Sequence, residues 1–246
     1  MDSEREKRVP KDPEKGPEDT PDIFPSAFSL PASAGISFYP PLQKWTLPAR
    51  QSMIEKAEGK YHIIKETLMI RIYLYQRPLG VPDFLKERGL KGDISEGPCG
   101  KPSLPGSGLY FNKSDSGAFT AFALSDEGEI GLDLQKILPY KDRYDRLAER
   151  FFLPEERDAL LALEEAARGN FFFRLWTVKE SYLKFTGQGL GGGLSSFGAD
   201  LSSGEILPGK EEDPPARFRI LEGPEGYAMC VCALSLPDHI EIIREP

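Results

Sequence analysis

The sequence predicts an α+β fold of two similar lobes, each a small antiparallel sheet packed on a long helix, behind a disordered N-terminal arm. Three observations carry that expectation. Residues 1–24 combine charge and proline with almost nothing to bury, a composition that cannot offset the entropy of ordering the chain. Two stretches, 50–76 and 171–186, place apolar residues at helical spacing and stop at glycine. Runs rich in β-branched and aromatic residues accompany each of them.

In chain order, the arm 1–24 is followed by an expected N-terminal lobe over 25–128 and a C-terminal lobe over 129–246. In the first lobe Met53, Ile54, Tyr61, Ile64, Leu68 and Ile72 mark one helix, which ends before Pro78 and Gly80. The stretch GPCGKPSLPGSG at 97–108 must be loop. Then come LYFNKSDSG, FTAFALS and EIGLDLQKI. The short turn Asp126-Glu127-Gly128 between the last two reads as that of a hairpin. Residues 140–167 read as two helices, the second starting at Pro154, where proline followed by two glutamates suits a first turn. The helix over 171–186 is closed by Gly187, Gly189 and Gly191 to Gly193. ARFRILEGPEGYAMCVCALSL and HIEIIREP read as final strands. Lys65-Glu66-Thr67-Leu68 in the first helix echoes Lys179-Glu180-Ser181-Tyr182 in the second, a hint of internal duplication.

The charge balance narrows the function classes. There are 31 Lys plus Arg against 39 Asp plus Glu, a net charge of -8, so a nucleic-acid partner is not expected. A polyanionic ligand would need a local basic pocket. Cys99, Cys230 and Cys232 give no disulfide framework. Cys230 and Cys232 alternate along a strand, so they share a face and read as small core residues; the C-x-C pair lacks a second ligand pair for a metal. The N-terminus is too polar for a signal peptide and no apolar run is long enough for a membrane span. A cytoplasmic location and no membrane partner are therefore expected.

The chemistry concentrates in two places. Within Trp176-Thr177-Val178-Lys179-Glu180-Ser181-Tyr182-Leu183-Lys184, Trp176, Glu180 and Lys184 fall at i, i+4 and i+8 and share a helix face. An i, i+4 Glu–Lys pair is also common on ordinary helix surfaces. In Ile130-Gly131-Leu132-Asp133, an aspartate inside an apolar strand is costly to bury unless it is paired or binds a cation. A capping or salt-bridged aspartate at a strand end is the alternative.

Together, strand G-x-D followed about 45 residues later by helical W-T-x-K-E-S-x-x-K resembles the 4′-phosphopantetheinyl transferase superfamily, in its larger monomeric type that activates peptide synthetases such as surfactin synthetase. Gly100-Lys101-Pro102, Phe111 to Gly117 and Gly187-Gln188-Gly189-Leu190 extend the resemblance to roughly residues 50 to 235. The resemblance implies two pseudo-twofold-related lobes. It also implies transfer of phosphopantetheine from coenzyme A to a serine of an acyl or peptidyl carrier protein, with release of adenosine 3′,5′-bisphosphate. A Mg²⁺ ion on Asp133, Gln135 and Glu180 is implied, with Glu180 and Lys184 as catalytic groups. Lys101, Pro102, Ser114, Asp115 and Lys184 are then expected around the coenzyme. A monomer would suffice to form the site.

Two positions depart from the family pattern. Gln135 stands where an acidic third metal ligand is usual, which implies weaker metal binding. Asp115 stands where a histidine commonly contacts coenzyme A phosphates, and a carboxylate facing phosphate is repulsive. Asp115 must therefore turn away, stay protonated or bind a cation. These departures keep a second expectation open, a catalytically impaired homologue acting as a binding or regulatory protein. Lys60, His62 and Lys65 are candidates for further basic contacts upstream.

Overall fold

The computed structural model describes residues 54–57, 60–63, 69–189 and 193–246. The N-terminal arm and Lys65 to Leu68 lie outside the described residues.

Strands β1 (Ile54–Ala57) and β2 (Lys60–Ile63) pair as a small antiparallel ribbon, and β3 (Ile70–Tyr75) follows. The helix expected over 50–76 is thus corrected to strands wherever that stretch is described. The reason is visible in β3. Ile72 and Leu74 point into one apolar cluster while Tyr73 and Tyr75 point into another. A strand buried on both faces reads as a continuous apolar run, and spacing cannot distinguish it from a buried helix. Its β-branched and aromatic residues favour the strand. Helix α1 (Val81–Glu87) comes next, only 7 residues long. Two-residue strands β4 (Ser95–Glu96) and β5 (Pro102–Ser103) pair within the loop region.

Strands β6 (Tyr110–Ser116) and β7 (Phe119–Ser125) form a hairpin. Strand β8 (Ile130–Lys136) does not pair with β7. The turn expected at Asp126 to Gly128 instead carries the chain from one sheet to another, a second correction. Helices α2 (Asp142–Phe151), α3 (Pro154–Leu161) and α4 (Glu165–Thr186) follow, α3 starting at Pro154 as expected. Gly187 closes α4 in the left-handed region with φ 71°, a conformation that glycine adopts without a Cβ penalty. The remaining strands are β9 (Gly198–Asp200), β10 (Glu205–Leu207), β11 (Arg217–Leu221), β12 (Tyr227–Ala233) and β13 (Glu241–Glu245).

Two larger sheets result, so the α+β class holds. One has the order β13-β3-β7-β6, the other β8-β12-β11-β10-β9. The second is antiparallel throughout. In the first, β13 runs parallel to β3, so the end of the chain returns to the sheet built from the first half. Ile72, Leu74, Ala121 and Ala123 of the first sheet bury against Leu132, Leu134, Met229 and Val231 of the second. Helix α1 covers the outer face of the first sheet, where Phe84 stacks on Phe122 with ring centroids 4.0 Å apart. Helix α4 covers the outer face of the second, against Cys230 and Cys232, which are fully buried as expected. Each sheet with its covering helix forms one lobe, as expected, with α1 much shorter than α4. Among them, no helix is long and apolar enough to cross a membrane.

Candidate active site

The site forms where the two sheets meet edge to edge. Asn112, Ser114 and Ser116 alternate along β6 and so point to one face. Their side-chain oxygens accept hydrogen bonds from the backbone N–H groups of Leu132, Leu134 and Lys136, at 2.9, 3.0 and 2.9 Å. Three side chains thereby replace the strand that β8 lacks on that edge, and those of Asn112 and Ser114 satisfy amides that would otherwise be buried unpaired. The same ladder locks the two sheets at the G-x-D segment.

Gly131 explains the glycine of that segment. A Cβ there would lie 1.9 Å from the Ser181 carbonyl oxygen and 2.4 Å from the Phe185 nitrogen. Helix α4 can sit this close to β8 only over a residue without a side chain. The close approach sets Asp133, two residues on and on the same strand face, against the α4 turn that carries Glu180 and Lys184.

Asp133 is 1% exposed. Its Oδ1 accepts from Ser114 Oγ at 3.0 Å and from Lys184 Nζ at 2.7 Å. Its Oδ2 is buried with no hydrogen-bond partner, a state that calls for an explanation in a folded protein. Lys184 Nζ also donates to Ser114 Oγ at 3.0 Å. Burial, followed by the nearby Asp133 carboxylate, pushes the Glu180 carboxyl up to about 7, with Lys184 opposing. Two acids facing each other, one with an unsatisfied oxygen, fit a hard divalent cation. Gln135 is buried on β8 opposite Ala228, two residues beyond Asp133 and on the same strand face. Among the described residues no group of three or more His, Cys, Asp or Glu gathers around a common point, so the acidic donors here are the two carboxylates.

A cleft of about 410 Å³ opens beside these groups, lined among others by Lys101, Pro102, Ser114, Asp115, Glu180 and Lys184. Five of the expected coenzyme-contact residues therefore share one cavity with Glu180. Their side chains play unequal parts. Lys101 Nζ donates to Glu129, to the Ile130 carbonyl at 3.1 Å and to the Phe185 carbonyl at 3.2 Å. Burial pushes its ammonium down from the usual lysine range while Glu129 opposes the shift. All three donors are used, so Lys101 ties the loop to the C-terminal turn of α4. The Ser114 hydroxyl, expected near phosphate, orients Asp133. Asp115 turns one oxygen to Thr120 Oγ1 at 2.7 Å and the other to Lys113 Nζ at 2.8 Å, which is the bound-cation outcome among the three expected for it.

Within the helical motif, only part faces the cleft. Trp176 packs on Phe172 and Phe151 in the core. Lys179, fully buried, bonds Glu156 at 2.8 Å and the carbonyls of Leu194 and Phe197 at 2.9 and 2.7 Å. It holds α3 and the segment after α4 in place. Lys113 and Asn112 line the cleft too; they fall in the stretch Phe111 to Gly117 that carries the resemblance, but nothing in the sequence shows that it is the edge strand β6. The side chains of Lys60 and His62 and all of Lys65 lie outside the described residues.

Comparison with known proteins adds an independent line. The model of the 4′-phosphopantetheinyl transferase superfamily matches residues 129–232. A Synechocystis protein, provisionally named a 4′-phosphopantetheinyl transferase, is 38% identical over 165 residues, 65% of this chain and 64% of its own. The 4′-phosphopantetheinyl transferase Sfp of Bacillus subtilis is 36% identical over 149 residues, 58% of this chain and 63% of its own. The 4′-phosphopantetheinyl transferase gsp of Aneurinibacillus migulanus is 30% identical over 175 residues, 71% and 69% of the two chains. The match thus spans less than two thirds of the length of the first two of these relatives.

Proposed function

The chain belongs to the 4′-phosphopantetheinyl transferase superfamily, in its larger Sfp-like branch, and from this membership we propose that it transfers 4′-phosphopantetheine from coenzyme A to a serine of an acyl or peptidyl carrier protein. The observation that carries the proposal is the meeting of Asp133, Glu180 and Lys184 at the inner end of a cleft that holds the residues expected around coenzyme A.

In this reading the serine oxygen forms a bond to the pantetheine-side phosphorus. The phosphoanhydride bond breaks, and adenosine 3′,5′-bisphosphate leaves with the bridging oxygen. The serine proton goes to Glu180, or to a water that Glu180 orients. Lys184 offers a fixed cation to the charge that grows on the leaving phosphate. Asp133, with its unpartnered Oδ2, and Glu180 would hold Mg²⁺, which when bound neutralises pyrophosphate charge. Ser114 keeps Asp133 in orientation from one side and the Gly131 contact keeps α4 in place from the other.

The test is intact-mass analysis of an apo acyl or peptidyl carrier protein after incubation with this protein, coenzyme A and Mg²⁺. Gain of one phosphopantetheine on the carrier, abolished by Glu180→Gln, supports the proposal. Coenzyme A binding without transfer to any carrier would favour the impaired homologue instead.

A further inference from the structure

The hairpin of β6 and β7 meets the second sheet at its turn as well as along its edge. Beyond the rung from Ser116 to the Lys136 amide, the chain reverses at Gly117 and Ala118. This turn rests on Tyr227, the first residue of β12, which pairs with Lys136 at the end of β8. Tyr227 shares a strand face with Met229 and Val231 and so points at the first sheet. Its ring packs edge-on against Phe119, with centroids 5.1 Å apart. Its hydroxyl oxygen accepts from the Ala118 amide at 3.2 Å. Gly117 has φ 56°, and a Cβ there would overlap the Tyr227 hydroxyl and lie 3.3 Å from Lys136 Cδ. The turn is thus clamped between a phenol of β12 and the last side chain of β8.

The clamp bears on the site through Ser114. That hydroxyl donates its one proton to Asp133 Oδ1 and accepts from the Leu134 amide and from Lys184 Nζ, each at 3.0 Å. A hydroxyl has one donor and two lone pairs, so every bond that Ser114 can make is in use. Such bonds weaken steeply once their angles close. A small slide of β6 along β8 therefore disturbs Asp133 and Lys184 together. Ser116, the rung nearest the turn, sits at an exposed position, where water competes for the Lys136 amide. The end of the hairpin needs a second fixed point, and Tyr227 supplies it.

Resting on the transferase reading above, we propose that Tyr227 is a positioning residue for the reaction. Its hydroxyl fixes the turn between β6 and β7, so that Ser114 holds Asp133 and Lys184 in the orientation that transfer needs. Tyr227 itself lies outside the cleft and acts through Ser114.

The experiment is a double-mutant cycle of Tyr227→Phe and Ser114→Ala in the full chain. It reads turnover of an apo carrier protein at saturating coenzyme A and Mg²⁺, with urea midpoints alongside. Tyr227→Phe keeps the ring on Phe119 and removes only the hydroxyl. Turnover should fall about ten-fold, less than the roughly hundred-fold that a 1 Å misplacement can cost. The urea midpoint should stay at the wild-type value, because water replaces a bond to an exposed amide. Ser114→Ala should lower turnover at least as far, and adding Tyr227→Phe to it should cost nothing more. Wild-type turnover in either single variant, a midpoint that falls along with activity, or a full ten-fold loss that persists on top of Ser114→Ala overturns this inference and leaves the transferase reading standing. A wild type that modifies no carrier overturns both.

Discussion

Asp133 and Lys184 form an ion pair of 2.7 Å between the G-x-D strand and the long helix, on a carboxylate that is 1% exposed. The lysine occupies only Oδ1, which it shares with Ser114, while Oδ2 has no partner. In the absence of a metal ion, Lys184 is the cation that makes the buried aspartate tolerable. It would be relieved of that duty by a divalent ion on the same carboxylate.

Lys184→Met should therefore destabilise the metal-free protein by about 3 kcal/mol, the scale for removing one partner of a buried pair. Mg²⁺ should then stabilise the variant more than the wild type, since it restores the missing charge. Thermal melts with EDTA and with Mg²⁺ read both effects. Equal Mg²⁺-induced shifts in the two proteins would count against Asp133 as a metal ligand.

The side-chain ladder from β6 to β8 makes a graded prediction. Ser114 is 3% exposed, accepts from the Leu134 amide and donates to Asp133. Ser116 serves the Lys136 amide at an exposed position. Ser114→Ala should cost about 2 kcal/mol because it leaves a buried amide and a buried carboxylate short of partners. Water can replace the lost acceptor at Lys136, so Ser116→Ala should cost under about 1 kcal/mol. Urea midpoints at constant m-value measure the two. A Ser116 loss as large as that at Ser114 would remove burial as the deciding factor.

How much of this was readable beforehand depends on which interaction fixes each element. Asp133, Glu180 and Lys184 were legible through the resemblance of the G-x-D and W-T-x-K-E-S-x-x-K segments to the transferase family, since their spacing alone also fits a surface Glu–Lys pair and a capped aspartate. The stop at Gly187 and the start at Pro154 were legible because local backbone constraints act without the rest of the fold. The helix expected over 50–76 failed because burial of β3 on both faces is a tertiary fact that mimics helical spacing. The transfer of β8 to the second sheet was hidden for a related reason: its partner, β12, lies about ninety residues further on. Lys101 and Lys179 show the remaining limit. Both look like free cations in the sequence, yet each ammonium is filled by one carboxylate and two backbone carbonyls.

Gly131 offers a test of the helix–strand contact on which the site depends. An alanine Cβ would fall 1.9 Å from one backbone atom of α4 and 2.4 Å from another, and backbone cannot rotate away as a side chain can. Gly131→Ala should destabilise the fold by about 3 kcal/mol, at or above the usual range for overpacking. Whatever remains folded should bind coenzyme A poorly, because α4 must lift from β8 and carry Glu180 and Lys184 with it. Denaturant unfolding combined with calorimetry checks both parts. Unchanged stability would mean that the helix is not held this close in solution.

Glu180 gives the pH dependence its sign. Its carboxyl is raised from an ordinary 4.5 to about 7, first by burial and then by Asp133. Between those two values the folded protein keeps a proton that the unfolded chain has lost, so the folded state binds more protons and stability falls as pH rises. The decline starts near the unfolded value and is complete above the folded one, with a slope on the order of 1 kcal/mol per pH unit at its steepest. Glu180→Gln removes the titrating group while keeping its shape. In EDTA, the stability difference between variant and wild type should therefore grow in the variant's favour from pH 5 to pH 8. Urea midpoints across that range measure it. A difference that stays flat, or shrinks, would mean that Glu180 is already ionised at pH 5 and that neither burial nor Asp133 holds its proton.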